Sequence, residues 1–236
     1  MGIVDKVKTL GKIKTLGKIK NLGRIKNLGF GFVFETVFER VVPAWMFRFC
    51  SLAVYQIDLD KLSSGPFSSA VVKICDSDQE LEQLREFTSD YTQQKDTIGV
   101  LAKVDGQVAG GLWIALGDYQ DRDLGLSFLL GTEGTWIYSA RTDAAYRRQG
   151  IYSHLMAASA QTRTNAGHTA PFIGVSKLNQ GSHKAIQRFG KLVGQVLVIR
   201  LGSIVWARTK GNLKQNKNLT LQCTRRPIQF RVPEID

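Results

Sequence analysis

Residues 135–166 read TWIYSARTDAAYRRQGIYSHLMAASAQTRTNA: a short apolar strand, a basic turn that contains a glycine, and a helix. An anion site at the start of a helix needs available backbone N–H groups, the positive end of the helix dipole, and a residue small enough to admit the anion. Gly150 supplies the close approach, and Arg147 and Arg148 add fixed positive charge. The stretch predicts a phosphate-binding loop, although most basic turns before helices are only solvated helix ends.

The charge of the chain is divided by position. The net charge is +12 at pH 7, and residues 144–233 contain fifteen basic residues and no acidic one. Residues 30–143 carry a net charge of −8, and residues 1–29 carry +7. A phosphate-rich cofactor would be steered toward the basic part that begins beside the proposed loop. Charge alone is also compatible with a basic surface that binds nucleic acid.

The spacing Arg147-x-x-Gly150-x-Tyr152 resembles the pyrophosphate loop of the GNAT superfamily of acyl-CoA N-acyltransferases, whose pattern is Q/R-x-x-G-x-G/A. Tyr152 stands where the family usually has Gly or Ala, so the resemblance is to a divergent member. It covers about residues 98 to 208. It implies an α/β fold with a mixed, mostly antiparallel sheet, in which two parallel central strands splay apart, flanked by helices. In the family, acyl-CoA inserts between those two strands.

A second mark of the family follows downstream, where Asn179-x-x-Ser182 and then Gly190 resemble the asparagine-initiated helix beside the pantetheine arm. Asn179 would hydrogen-bond that arm, cap its helix, or do both. Ile186 occupies the position where many members keep a tyrosine acid. The family's proton donor therefore cannot be transferred to this chain.

The resemblance implies that acetyl-CoA, or another acyl-CoA, is a co-substrate. Main-chain groups at the end of the strand would pair with pantetheine, and amides of the loop would surround the pyrophosphate. The cofactor-binding residues implied in this way are Ala140, Arg141, Thr142, Arg147, Arg148, Gln149, Gly150, Ile151, Tyr152, Asn179 and Ser182.

Acyl transfer from a thioester to an amine requires an oriented carbonyl, a neutral amine and a proton source for the leaving thiolate. The candidate catalytic side chains are Tyr138, on the cofactor strand, and Ser182 and His183, one turn before Ile186. A single histidine is more often a surface or capping residue, so His183 also has a structural interpretation. The function indicated is N-acetylation of an unidentified small-molecule or peptide amine, with no metal.

Cysteine spacing and hydropathy argue against a disulfide framework, a zinc site and a membrane-spanning segment. Cys50, Cys75 and Cys223 are far apart, so they offer neither a disulfide framework nor a zinc-binding spacing. No run reaches the ~18 to 20 apolar residues of a membrane span. These features predict a cytoplasmic protein, with peripheral membrane attachment as an open alternative.

The chain is predicted to have three parts. Residues 1–29 form a basic tail with a glycine-containing hexapeptide repeat, whose apolar residues recur every third position and so wrap around an α-helix. This tail is predicted to be flexible, and fits a solvated segment as well as a contact with an anionic membrane surface; nucleic acid is the weaker partner. Residues 30–66 are an aromatic-rich lead-in helix and strand, and residues 67–236 the acyltransferase domain. A non-catalytic GNAT-like module tethered by the tail is the alternative function.

Local patterns predict the elements around the loop. Ser77 and Glu80 fit a capping box ahead of a helix. Asp105-Gly106 predicts a hairpin between two strands. Residues 117–134 are predicted to be a loop. The other predicted elements are strands at residues 52–59, 71–75, 136–141, 171–175, 195–201 and 204–208, and helices at 150–166 and 181–189.

Overall fold

A computed structural model describes residues 47–63, 69–89, 96–168, 171–215, 221–223 and 228–232. The predicted tail at residues 1–29 and the predicted lead-in helix lie outside the described residues, and both stay predictions.

Four α-helices and thirteen strands are present in the described ranges. The helices are α1 Leu59–Ser63, α2 Asp78–Thr88, α3 Ile151–Asn165 and α4 Gln180–Ile186, and a short 3₁₀ helix spans Ala144–Tyr146. None of these described helices is both long and apolar enough to cross a membrane. The strands are β1 Phe47–Ile57, β2 Val71–Ile74, β3 Thr97–Val104, β4 Gln107–Leu116, β5 Tyr119–Asp121, β6 Leu126–Leu129, β7 Thr135–Thr142, β8 Phe172–Ser176, β9 Gly190–Leu201, β10 Ile204–Gly211, β11 Lys214–Gln215, β12 Leu221–Cys223 and β13 Ile228–Arg231.

Nine of the described strands form one mixed sheet in the order β12-β10-β9-β1-β8-β7-β4-β3-β2. Neighbouring strands are antiparallel, except that β7 and β8 run parallel. This arrangement confirms the predicted fold class, a mostly antiparallel mixed sheet with a parallel central pair flanked by helices. Strand β1, predicted as part of a lead-in segment, lies inside this sheet between β8 and β9.

The parallel pair is short. Trp136 lies opposite Phe172, Ile137 lies opposite Ile173, and the ladder between β7 and β8 contains these two pairs in the described chain. Strand β8 continues to pair with β1 as far as Ser176. The two parallel strands therefore separate beyond Ile137, and a gap opens near the centre of the sheet.

The two faces of the sheet carry separate cores, because side chains alternate along each strand. On one face, Ile137 of β7 packs with Leu155 of α3 and Ile186 of α4, and all three are at most 1 % exposed. On the other face, Trp136 belongs to a core that also contains Leu84 of α2 and residues of a second sheet. The central strands are therefore buried on both sides, and any cavity beside them is walled by side chains held in place.

The second sheet has the order β11-β13-β6-β5 in the described residues. Its strands β5 and β6 fall within residues 117–134, so the prediction of a loop there was wrong. Strand β6 pairs in parallel with β13, far along the chain. Strand β6 also pairs with the neighbouring β5, but its pairing with β13 depends on the fold as a whole and has no local signal.

The predicted capping box is present in an altered form. The Ser77 hydroxyl accepts a hydrogen bond from the Glu80 N–H at 3.4 Å, as predicted. The Glu80 carboxylate accepts from the N–H of Asp76 at 3.4 Å and forms ion pairs with Lys73 on β2 and Lys103 on β3. This one carboxylate therefore ties the start of α2 to the edge of the sheet.

Replacing Glu80 with Gln is expected to lower the melting temperature at neutral pH and to remove an acid-sensitive part of the stability. Its hydrogen bond with Lys73 lowers the pKa of Glu80 below the ordinary value. Such a carboxyl group stabilises the fold above its unfolded-state pKa, and the contribution is lost as the pH falls through its folded-state pKa. Melting curves of the wild type and E80Q should therefore differ at pH 7 and converge below about pH 4.

The matched control is Glu82→Gln, on the same helix, whose carboxylate pairs with Arg85 at the surface. Exposed pairs contribute little, so this change should leave the melting temperature nearly constant across the same pH range. If the difference in melting temperature between the wild type and E80Q stays the same from pH 7 to about pH 3, the ionised Glu80 carboxylate does not stabilise the fold as proposed.

Candidate active site

Strand β7 carries a β-bulge where it leaves β8. Tyr138 lies opposite Trp113 of β4 and Arg141 lies opposite Gly111, so three steps along β7 match two along β4. Within this stretch Ser139 has a φ of 49°, in the left-handed region. A bulge redirects the side chains and backbone groups of its strand. Here it does so at the edge of the gap between β7 and β8.

Two cavities reach this bulge from opposite faces of the sheet. The first, which we call the aromatic cavity, has a volume of about 400 Å³ and is lined by Tyr119, Trp136, Tyr138 and Ser139, among others. The second, the basic cavity, has a volume of about 530 Å³ and begins at the next residue, Ala140, on the face of α3 and α4. A molecule that reaches through the gap between the strands would join the two cavities.

The basic cavity is built for an anion. Among the residues that the structure describes, its lining includes five basic residues and no acidic one. These residues come from the end of β7, the loop before α3, and α4, and they are Arg141, Arg147, Arg148, Lys184 and Arg188. Several cations converging on one cleft raise the local concentration of a polyanionic ligand.

The loop before α3 is held in a defined conformation. Asp143 accepts a hydrogen bond from the Ala145 N–H at 2.8 Å, and Arg148 and Gly150 have φ values of 67° and 80°. The first hydrogen bond of α3 runs from the His154 N–H to the Gly150 carbonyl at 3.0 Å. The N–H groups of residues 151–153 precede that bond, and at a helix start such groups are the ones that bind anions.

Helix α4 begins at the opposite wall of the basic cavity. Asn179 accepts a hydrogen bond from the Ser182 N–H at 3.2 Å, which confirms its predicted capping role. Both residues also line the basic cavity. The predicted contact of Asn179 with a pantetheine arm stays a prediction, and capping leaves its side-chain N–H groups available for it.

Tyr152 spans the space between α3 and α4. It lines the basic cavity together with Ser182. Burial raises the pKa of Tyr152 well above its ordinary value. The hydroxyl is therefore protonated at neutral pH and can donate a hydrogen bond inside this cavity.

The three predicted catalytic side chains lie in three different places. Tyr138 lines the aromatic cavity, Ser182 lines the basic cavity, and His183 lines neither. The Nδ1 atom of His183 lies 3.0 Å from the Tyr55 hydroxyl, and the two rings meet edge to face at 5.7 Å. Because Tyr55 is buried in β1, this contact joins α4 to the sheet. A catalytic role of His183 stays a prediction.

The position of the usual acid tyrosine is part of the core. Ile186 is fully buried among the helix-side residues and has no exchangeable proton. A proton for a leaving group must therefore come from another group. The hydroxyls in the described lining of the basic cavity belong to Thr142, Tyr146, Tyr152, Ser153 and Ser182. In the described ranges, no group of three or more His, Cys, Asp or Glu side chains could hold a metal ion.

The model of the acetyltransferase (GNAT) family matches residues 60–191, a range that contains the bulge, the loop, α3, the splayed strands and α4. This chain belongs to the GNAT acetyltransferase family. No curated protein matched the chain.

Solved structures with a related arrangement are distant. A GCN5-related N-acetyltransferase from Kribbella flavida is 14 % identical, with a TM-score of 0.43, and the match covers 62 % of this chain and 56 % of that one. A GNAT-family protein from Novosphingobium aromaticivorans is 10 % identical, with a TM-score of 0.47 and coverages of 64 % and 65 %. A conserved protein of unknown function from Staphylococcus epidermidis is 12 % identical, with a TM-score of 0.43 and coverages of 69 % and 64 %. The chain thus spans less than two thirds of each of these proteins.

GNAT proteins typically use acyl-CoA, and the residues of the basic cavity fit that molecule. The Thr142 hydroxyl oxygen is buried and has no hydrogen-bond partner among the described residues, and Thr142 lines the cavity. A buried polar group without a partner costs about 1–3 kcal/mol. An amide of a pantetheine arm would provide the missing partner. The free N–H groups at the start of α3 and the surrounding cations suit the phosphates.

Sequence reasoning missed the wall of the aromatic cavity opposite β7. This wall comes from β5 and the turn after it, which were assigned to a loop, and from Gly174 on β8. A usable signal was present: Leu126-Ser-Phe128 alternates like a half-buried strand, and Gly125 precedes it as a turn residue. That alternation predicts a hairpin with Tyr119 and would have brought Asp121 to the site.

The turn between β5 and β6 is fixed by Arg200 of β9. The Arg200 guanidinium donates hydrogen bonds to the carbonyls of Arg122 and Asp123, at 3.1 and 2.6 Å. The Asp121 carboxylate also accepts from the Leu124 N–H at 2.9 Å. Residues 121–123 line the aromatic cavity, and these hydrogen bonds hold the backbone of their turn.

Proposed function

We propose that this chain is an acetyl-CoA-dependent N-acetyltransferase that acylates an amine bound in the aromatic cavity. One observation carries the proposal: the basic cavity and the aromatic cavity are lined by consecutive residues of β7, Ala140 and Ser139, at the bulge where β7 and β8 have separated. A donor held on the basic side and an amine held on the aromatic side would meet at Ser139 and Ala140. Such positioning alone can lower a reaction barrier by up to ~7–11 kcal/mol.

The donor side is assigned from its contacts. The N–H groups at the start of α3, with Arg147 and Arg148, would hold the pyrophosphate. Thr142 and Asn179 would bind the pantetheine arm as it passes toward the bulge. Acyl-CoA, when bound, supplies the acyl group as a thioester. These residues hold the donor in one orientation and give it a fixed electrostatic environment.

The chemical step forms a C–N bond and breaks a C–S bond. The amine nitrogen attacks the thioester carbonyl, loses one proton, and the departing thiolate gains one, so the products are an amide and a free thiol. Tyr138, which lines the aromatic cavity, would orient the amine. Tyr152, which lines the basic cavity, would donate a hydrogen bond to the departing thiolate, because burial raises its pKa and makes it a weak acid. The proton that the amine loses would reach the thiolate through water.

Isothermal titration of the full-length protein with CoA and acetyl-CoA tests the donor half of the proposal. We expect one binding site with a micromolar dissociation constant, because an anion loop and five cations contribute. Thiol release from acetyl-CoA in the presence of an amine panel tests the chemical half. An absence of binding at high micromolar ligand would refute the proposed function.

A second candidate function is a GNAT-fold module that binds CoA without catalysis. One observation favours it, namely that the usual acid position is the fully buried Ile186. The same two assays separate the candidates, because the module would bind CoA but release no thiol with any amine. Attachment of such a module to an anionic membrane through residues 1–29 concerns a segment outside the described residues.

A further inference from the structure

We propose that one face of the strands β1, β9 and β10 lies against the surface of an anionic lipid bilayer. The inference goes beyond the proposed function, because the residues of this face line neither the basic nor the aromatic cavity. It rests on exposed apolar side chains, on the pairing of the backbone that carries them, and on the charges beside them.

The register of the three strands places apolar side chains in rows on one face of the sheet. We call the two rows together the apolar face, and they are Phe47, Leu201 and Ile204, followed by Phe49, Ile199 and Trp206. Leu201 and Ile204 are 62 % and 45 % exposed, and the other four residues are half-buried. Exposed apolar side chains that cluster in this way mark a surface that meets a partner.

The apolar face lies on the helix side of the sheet, away from the helices that the structure describes. The alternate residues Val196, Val198 and Val205 belong to the core on the other side. In the described chain, the helix-side core includes no residue of β9 or β10. Helices α3 and α4 pack mainly on β2, β3, β4, β7 and β8.

The backbone at the end of the β9–β10 hairpin is already paired. Leu201 and Ile204 flank the turn Gly202–Ser203, and they pair with each other. Leu201 also pairs with Phe47 of β1, and Ile204 with β12. The Gly202 carbonyl accepts a hydrogen bond from Arg200 at 3.2 Å. Unpaired backbone groups are costly in an apolar medium, so this pairing lets the hairpin end approach the acyl chains of a bilayer.

The charges beside the apolar face are basic. Strands β1, β9 and β10 contain five basic residues and no acidic one. Arg208 and Lys210 continue along the same face of β10 and are exposed. Lys177 reaches the Gln195 side chain, opposite Lys210, at 2.7 Å. Basic side chains next to an apolar surface are attracted to anionic headgroups.

An anionic bilayer matches both properties of this surface. A second copy of the chain, docked about a two-fold axis, would bring Arg208 and Lys210 close to the same basic groups of its partner. A nucleic acid would match the charge but would leave Leu201 and Ile204 exposed to water. At a bilayer, the aliphatic side chains enter the acyl boundary, Trp206 lies at the interface, and the basic groups meet the headgroups.

The test measures co-sedimentation of the full-length protein with phosphatidylcholine vesicles that contain about a quarter phosphatidylserine. We expect binding at pH 7 that weakens as salt is raised, and much weaker binding to vesicles of phosphatidylcholine alone. Leu201→Glu should lower the molar partition coefficient at least ~10-fold, which corresponds to about 1.4 kcal/mol. The double change R208Q/K210Q should also weaken binding and should reduce its dependence on salt.

Val71→Glu is the matched control for L201E. Val71 is 68 % exposed on a strand and the change adds the same charge, but it lies on β2, six strands away from β9, at about 29 Å. V71E should partition within about 2-fold of the wild type. All variants keep residues 1–29, so a difference between L201E and V71E cannot come from that segment. Melting curves verify that each variant is folded.

A second measurement locates the contact. Brominated lipids quench tryptophan fluorescence at short range, so Trp206→Phe should reduce the amount of fluorescence that these vesicles quench. The inference is overturned if the wild type does not bind the anionic vesicles, if L201E and V71E bind equally well, or if W206F leaves the quenched amount unchanged. It is also overturned if the wild type binds a DNA duplex through Arg208 and Lys210 but no vesicle, which would assign the face to nucleic acid.

Discussion

Gly150→Val is expected to reduce the affinity for acetyl-CoA by at least ~100-fold, about 2.7 kcal/mol, while the protein remains folded. Gly150 immediately precedes α3 with a φ of 80°, and its missing side chain leaves the N–H groups of residues 151–153 open to an anion. A valine side chain would fill that approach. Charge-assisted hydrogen bonds contribute about 1.5–3 kcal/mol each, so losing two accounts for the expected effect. Isothermal titration measures it.

Gly106→Val is the control for Gly150→Val, because it introduces the same backbone strain away from the proposed site. Gly106 has nearly the same φ, 79°, but lies on the β3–β4 hairpin, where an added Cβ meets no atom within 4 Å. Both variants place a β-branched residue in the left-handed region, so both should lose stability. Only G150V should lose CoA affinity. If G150V binds acetyl-CoA like the wild type, the loop before α3 is not the phosphate site.

The elements that the sequence predicted well are those set by a few neighbouring residues. The hairpin at Asp105-Gly106 forms as expected, with φ values of 50° and 79° at the two turn residues. The cap at Ser77 and the start of α3 after Gly150 are also where the sequence places them. Each depends on hydrogen bonds within one turn of chain, so local patterns carry the information.

The elements that the sequence did not predict depend on distant partners. Strand β1 starts at Phe47, five residues earlier than predicted, because it pairs with β9 along its whole length. Strand β6 exists through its pairing with β13. Helix α4 ends at Ile186, earlier than predicted, and β9 begins at Gly190, opposite Ile57. In each case the deciding contact is made by residues far away in sequence, as is common for β structure.

The two cavities of the candidate site differ in the same way, one being formed mainly by neighbouring residues and the other by residues distant in sequence. The residues of the loop before α3 are contiguous, so a sequence motif was enough to place them beside one cavity. The aromatic cavity is built by Tyr119 of β5, Trp136 of β7 and Gly174 of β8, which become neighbours only through the strand order. The contact of His183 with Tyr55 likewise joins residues 128 positions apart. The sequence alone was therefore enough to locate the loop beside the basic cavity. The aromatic cavity could be recognised only once the strand order was known.

Gly174→Val is expected to reduce amine-dependent thiol release by at least ~100-fold without changing the affinity for CoA. Gly174 lies on β8 at the edge of the gap, and an added Cβ would approach Leu52 and Trp136 to 2.9 Å each. The valine branches would enter the aromatic cavity where the amine must pass. Because the basic cavity lies on the opposite face, the donor should still bind. The rate loss corresponds to a barrier increase of about 2.7 kcal/mol.

Gly99→Val is the matched control for this change, because an added Cβ there is equally crowded but far from both cavities. Gly99 lies on β3, and its Cβ would approach Leu84 to 2.7 Å and the Cys75 sulfur to 3.2 Å. Overpacking of this kind costs about 1–3 kcal/mol, so both variants should melt at lower temperatures. Thiol release per folded molecule should fall only in G174V. A G174V protein that turns over amines normally would place the acceptor outside the aromatic cavity, and the opposite-face arrangement of donor and acceptor would have to be abandoned.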